Sequence, residues 1–396
     1  MRKKPVIVYV AHDVGGQGGM ELHLEEIITR LKHQCELVVV STTLKLSQKE
    51  GIRHIYIPVI ARPAPIRMIM FAVLATIRIF FLKRDLLHTT GAIVFNQADY
   101  STIHFCHDGF IRAVGNTRAN LDQSFLRKLN SRAATSIALI MERMIYVPKR
   151  TKHLIAVSKR VQRELLDAFP YKPTEVSVVP NGVDLTKFKP AEGKDKNRLR
   201  KHYGLDQEKT YLLFMGGDWP RKGLDYLIDA FNKLADSFPD IGLLVVGKGD
   251  PTPYKNQLRP EAREQVVFAG MQSKPEEWMA LSDIFVFPSS YETFSLVVHE
   301  AAAAGLIILT TEVGGIEDLI RNGKDGIYIE RDADNIYHAL KQVLSDYDDH
   351  LQMGVSVRER VRSLTWENTY EKMMKQYMID LAKIERRGGQ LEHLNE

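Results

Sequence analysis

The chain has 396 residues, 44% hydrophobic and 26% charged. That length exceeds one ordinary core and predicts two domains, and the composition excludes a collagen, a coiled coil, a disulfide mini-protein and a disordered chain. The net charge of +5 hides a division: residues 1–180 hold 26 Lys and Arg against 14 Asp and Glu, while the remainder holds 28 against 35. The basic first part is expected to meet something anionic: a membrane surface, a nucleic acid or an acidic saccharide. Two cysteines, Cys35 and Cys106, are too few for a disulfide framework and lack metal-ligand spacing, which fits a reducing, cytoplasmic setting.

The start carries three basic residues and then six apolar ones, Val6 to Ala11, too few for a signal-peptide core. A short buried strand entering a glycine-rich loop is expected instead. Further β-rich runs follow at Glu36–Ser41, His54–Pro58, Ala92–Phe95, Thr102–Phe105 and His153–Val157, with helical patterns between most of them. The longest apolar stretch, Ile66 to Leu82, is interrupted by Arg67 and Arg78 and is too short to span a bilayer. Two readings stay open for it. It is a helix buried against the first sheet, or an amphipathic helix on a membrane surface, with Arg67, Arg78, Lys83 and Arg84 on anionic head groups. A second basic stretch, from Arg143 to Arg163, adds to the latter reading.

An apolar run meets Pro180 and then Asn181-Gly182, which places a hinge at Val178–Asp184. Lys187 to Gln207 is mostly polar and reads as an entry segment. A second alternating set follows: Tyr211–Met215, Leu243–Gly247, Val266–Phe268, Ile284–Phe287 and Leu306–Thr310. The helix predicted over Leu224–Ala235 places Leu224, Leu227, Ile228, Phe231 and Leu234 on one stripe, as packing on a sheet requires. Strands alternating with helices imply a mostly parallel sheet, here twice. After Arg386 the tail is polar.

The segment Pro288 to Gly305 follows a strand and turns helical, with Ser295 as the expected N-cap and Gly305 as the stop. The first-turn N–H groups near Phe294, Ser295 and Leu296 would point out at the carboxyl end of the sheet, where phosphates bind. Glu292 and Glu300 bracket that place. Carboxylates accept hydrogen bonds from hydroxyls, and a phosphate flanked by hydroxyl-binding groups describes a sugar nucleotide. As bare residues, either glutamate could equally be a solvated surface group.

Glu292 and Glu300 with seven residues between, followed by Ala-x-Ala-x-Gly, resemble the signature of retaining glycosyltransferases. Gly18-Gly19-Met20-Glu21, Ala156-Val157-Ser158, Val179 to Asp184, Arg221-Lys222-Gly223, Val246 to Gly249 and Gly314-Gly315 follow the same family's order, so the chain resembles family 4 glycosyltransferases along nearly its whole length. The resemblance implies the α/β GT-B fold: two Rossmann-like doubly wound domains facing across a cleft. Residues 1–180 with a C-terminal helix at about 375–396 would bind the acceptor, and residues 181–374 the nucleotide-sugar donor. It implies that Glu292 binds hydroxyls of the transferred sugar, Glu300 the ribose, and Lys222 the diphosphate leaving group. Gly18 and Gly19 would approach that diphosphate, and His107 would face the sugar. His104 reads instead as a core histidine.

Many relatives carry an arginine where this chain has Gly217, and Arg221 is the residue that could supply the charge. The family resemblance further implies a UDP-sugar donor, same-face attack, no bound metal and no cofactor. The expected acceptor is a glycan or lipid-linked molecule. The alternative is a sugar-nucleotide-binding partner protein without turnover, resting on Gly217. Nucleic-acid binding is not expected, because the basic residues lack interleaved aromatics and a recognition motif.

Overall fold

The computed structural model describes residues 4–16, 18–115 and 125–392, so the basic Met1–Lys3 and the last residues of the polar tail lie outside the described residues. The chain divides into two compact units, Met1–Gly182 with Trp366–Glu396, and Val183–Thr365.

In the first unit the strands of the main sheet are β1 (Val6–Val10), β2 (Glu36–Ser41), β3 (Ile52–Tyr56), β4 (Leu86–Thr90), β5 (Ala98–Ile103), β6 (Thr151–Ala156) and β7 (Val176–Val178). They lie in the order β3-β2-β1-β4-β5-β6-β7, all parallel. Parallel strands need crossovers, and helices then cover both faces, which is why β1 reads VIVYV without polar alternation. Ile7 and Tyr9 pack with Leu24, Ile27 and Tyr377, while Val8 and Val10 pack with Phe71, Ala75 and Ile79.

Two expectations are corrected here. Ala92–Phe95 is not a strand; β4 lies just before it, and its polar His88, Thr89 and Thr90 are buried. β5 ends at Ile103, leaving His104 and Phe105 in the turn before the His107–Val114 helix. The apolar stretch forms a helix, Ala64–Phe80, that buries Phe71, Ala72, Ala75 and Ile79 against the first sheet and leaves Ile66, Ile69, Val73, Ile77 and Phe80 exposed. Among the described residues no helix is long and apolar enough to cross a membrane.

In the second unit the strands are β8 (Thr210–Met215), β9 (Ile241–Val246), β10 (Val266–Gly270), β11 (Ile284–Phe287), β12 (Ile307–Thr310) and β13 (Ile327–Tyr328). Their order is β10-β9-β8-β11-β12-β13, again all parallel. The Leu224–Leu234 helix buries the predicted stripe against Leu212, Phe214, Leu243 and Val245, each such side chain contributing about 1.5–3 kcal/mol of burial. The polar entry segment conceals a further helix, Gly193–His202, docked by a nearly buried Arg200 that donates to the Leu281 carbonyl and to Asp283. In each sheet the order reverses next to its first strand, between β1 and β4 and between β8 and β11. Ligands bind at the carboxyl ends of strands beside such a reversal.

Candidate functional site

In the second unit, the loops leaving β8, β11 and β12 meet at the reversal. After β8 the chain runs through Gly216 and Gly217 into a short turn, Trp219–Lys222. Gly216 has φ +137, and the Lys222 ammonium fills the space its Cβ would need. Only glycine fits there, so the backbone itself seats the lysine. Gly314, after β12, donates its N–H to the Glu292 carbonyl at 3.0 Å, and a Cβ at Gly314 would collide with that carbonyl. The two glycine positions thus fix where Lys222 and Glu292 stand.

Glu292 Oε1 accepts from Arg221 Nη1 at 2.9 Å and from Ser289 Oγ at 3.2 Å. Arg221 also donates to Asp218 Oδ2 at 2.8 Å and to the Tyr291 carbonyl. Arg221, in the same loop as Gly217, is thus held on the Glu292 carboxylate. Lys222 Nζ lies 4.9 Å above the Phe287 ring. Burial pulls its ammonium below the ordinary lysine range, against the opposing pull of Glu292. Glu300 is pushed up to about 7 by burial, with Lys187 and Lys222 acting in the other direction. Two cations and two carboxylates thus share one strand-end site, and its desolvation strengthens every interaction made there.

Ser295 is the N-cap of the Leu296–Ala303 helix, yet its buried hydroxyl caps nothing and has no hydrogen-bond partner among the described residues. The Leu296 N–H donates to the Phe294 carbonyl at 3.1 Å, so it is already used within the turn. Phe294 stacks on His299 with ring centroids 4.2 Å apart, which fixes the loop against its helix. Gly305 takes the left-handed conformation past the helix end, as a stop residue does.

In the first unit, Gly18 is the N-cap of the Gly19–Gln34 helix at the carboxyl end of β1, with φ +153. The Glu21 carboxylate folds over Gly18, so an anion approaching this helix end meets a carboxylate already in place. His107 opens the His107–Val114 helix, and its Nδ1 lies 2.7 Å from Glu142 Oε1. His104 packs edge-on to His23, with centroids 4.6 Å apart, and its buried Nε2 has no hydrogen-bond partner among the described residues; burial holds its imidazole well below the ordinary range. Among the described residues no three His, Cys, Asp or Glu side chains converge as a metal site.

Sequence reasoning missed three residues. Arg331 donates to the carbonyls of Pro220, Arg221 and Pro288, clamping the Lys222 turn to the end of β11. Ser289 supports Glu292, and Glu142 holds His107. Only Ser289 lies inside a recognised motif; Arg331 acts through backbone carbonyls 43 to 111 positions away, which no spacing reveals.

Residues 17–187 match the model of glycosyltransferase family 4, and residues 209–346 match that of the group 1 glycosyl transferases. The chain belongs to the family 4 glycosyltransferases. An uncharacterized glycosyltransferase of Methanocaldococcus jannaschii is 25% identical over 388 residues, 93% of this chain and 96% of the relative. Among solved structures, WaaG, a glycosyltransferase involved in lipopolysaccharide biosynthesis, aligns with a TM-score of 0.76 at 19% identity, over 93% of this chain and 98% of that one. Anabaena HepE, solved in complex with UDP-glucose, aligns at 0.68 and 17% identity, over 94% and 99%. Both units of this family 4 chain are parallel-sheet α/β domains, and the fold is GT-B.

Proposed function

We propose that the protein is a retaining, metal-independent glycosyltransferase that moves a sugar from a nucleotide diphosphate, a UDP-sugar by preference, to a lipid-linked or envelope polysaccharide acceptor. The observation that carries this reading is the meeting of Arg221 and Lys222 with Glu292 and Glu300 at the β8/β11 reversal. Lys222 neutralises the diphosphate as the glycosidic bond breaks, which is where charge develops. Glu300 in its ionised form accepts the ribose hydroxyls. Glu292 exchanges its bond to Arg221 for the hydroxyls of the transferred sugar, and Arg221 is thereby released toward the phosphates. The phosphate-facing turn is completed by the backbone at Phe294 and Ser295. The acceptor hydroxyl attacks from the face the diphosphate leaves and gives its proton to the departing phosphate oxygen, while Lys222 and Arg221 meet the phosphate charge in place of a metal.

The UDP preference is supported by the HepE complex, and an envelope acceptor by the role of WaaG. Peripheral attachment to an anionic membrane is supported by the exposed apolar face of the Ala64–Phe80 helix. From Ile57 to Arg84 the sequence holds five cations and no carboxylate.

The experiment is a panel of UDP-, GDP- and ADP-sugars with the full-length protein, reading nucleotide release and the anomeric configuration of the product by NMR. Release from a UDP-sugar with retained configuration is expected. An inverted product refutes the retaining part, and binding without release in the presence of lipid and glycan acceptors favours a partner protein.

A further inference from the structure

The Lys222 ammonium rests over the Phe287 ring, an undirected contact, so the place of its charge is set by the backbone of the Trp219–Lys222 turn. That turn is held from behind by Arg331, which follows the edge strand β13. Arg331 Nη1 donates to the Arg221 carbonyl and, at 2.9 Å, to the Pro288 carbonyl, while Nη2 donates to the Pro220 carbonyl at 3.2 Å. Its guanidinium also lies 5.0 Å from the Tyr226 ring, on the helix that follows the turn. Three carbonyls from two loops thus converge on one cation. A planar fork of five donors spans carbonyls that an ammonium, a single point of charge, does not reach together. Gly223 makes the approach possible: it has φ +77, and a Cβ there would stand 2.4 Å from the Pro288 carbonyl oxygen and 3.3 Å from Arg331 Nη1. The Ser290 N–H also donates to the Arg221 carbonyl, at 3.0 Å, so the clamp joins the Lys222 turn to the loop that carries Glu292.

We propose that Arg331 is a positioning residue for the donor diphosphate: by gathering the carbonyls of Pro220, Arg221 and Pro288 it locks the Lys222 turn onto the Glu292 loop, so that Lys222 and Arg221 meet the diphosphate already in place. Cations fixed in advance need no ordering when the ligand arrives, and that saving appears as affinity for the charged part of the ligand. The inference rests on the transferase reading for its ligand and on geometry alone for the clamp.

The test compares the full-length wild type with Arg331→Gln and the milder Arg331→Lys by calorimetric titration with UDP and with uridine. Uridine lacks the diphosphate, so the ratio of the two affinities reports the cations, whereas a general loss of structure weakens both ligands together. In Arg331→Gln the ratio is expected to fall by about tenfold or more, with uridine affinity unchanged. Arg331→Lys, which keeps the charge but not the fork, recovers only a small part of the loss. In a Lys222→Ala background Arg331→Gln has a smaller effect than alone, because Arg331 acts through Lys222. An unchanged ratio, or losses that simply add, overturns the proposal. Hydrogen exchange of peptides covering residues 216–224 and 288–292 is read on the same samples without nucleotide. Exchange there is expected to quicken in Arg331→Gln, and unchanged exchange overturns the clamp. If the wild type binds no nucleotide at all, the transferase reading fails, and the exchange still decides the role of Arg331.

Discussion

Arg221 Nη1 stands 2.9 Å from Glu292 Oε1, so the cation and the carboxylate of this candidate site neutralise each other. The pair is about four-fifths shielded from solvent, which makes it stronger than a surface ion pair and costly to break one partner at a time. Under the proposed function, donor binding replaces both halves together, a sugar hydroxyl for Arg221 and a phosphate for Glu292.

Arg221→Lys keeps the charge but loses the planar fork that reaches Asp218, the Tyr291 carbonyl and Glu292 at once. Donor hydrolysis is expected to fall by about tenfold or more. Steady-state kinetics with Arg221→Lys, Glu292→Gln and the double variant should be clearly non-additive, because the two residues share one contact; additive losses would show that they act apart.

Glu300 gives nucleotide binding a pH dependence. Its carboxyl is raised to about 7, so it is half neutral near that pH and fully ionised only above it. UDP affinity should climb as pH rises through about 7 in the wild type and lack that step in Glu300→Gln, as read by calorimetric titration. Stability runs the other way. The folded state holds a proton that the unfolded state releases near its ordinary value of 4.5, so Glu300 costs stability increasingly from about 4.5 up to about 7. Glu300→Gln should therefore melt higher than the wild type at pH 8, and by less at pH 5.

The first unit depends on neutral buried histidines. Burial lowers His23 to about 4 and His88 to about 3, against an ordinary value of 6.5. Below 6.5 the unfolded chain takes up protons that the folded one refuses, so stability falls as pH drops from about 6.5 toward 4. His88 is tied by Nε2 to Thr102 at 2.9 Å and by Nδ1 to the Tyr377 hydroxyl at 2.7 Å, on the helix that closes the chain. Tyr377→Phe leaves Nδ1 unpaired in the core and should cost about 1–3 kcal/mol in denaturant unfolding.

These same residues show where sequence reading stops. β1 was legible because a strand covered on both faces must be continuously apolar, and the Leu224–Leu234 helix because its stripe repeats at helical spacing. β4 was hidden because LLHTT carries three polar side chains into the core, each satisfied by a bond across the sheet: His88 to Thr102, Thr89 to Ser101, Thr90 to the Val10 carbonyl. Ala92–Phe95 misled because four apolar residues need not pair with anything. At the site, Glu292, Glu300 and Lys222 sit in short motifs whose spacing reflects one loop and one helix turn. Arg331 and Glu142 act from other elements, on backbone carbonyls and on a histidine ring, and contacts between distant elements leave no spacing to read.

The most direct test of the central claim is the rate at which the full-length protein releases UDP from UDP-hexoses, set beside Lys222→Ala and Glu292→Gln. The Lys222 and Glu292 site predicts slow release by the wild type and about 100-fold less in each variant, the cost of removing one preorganised electrostatic group. Undiminished release in both variants would place the chemistry elsewhere and contradict the account.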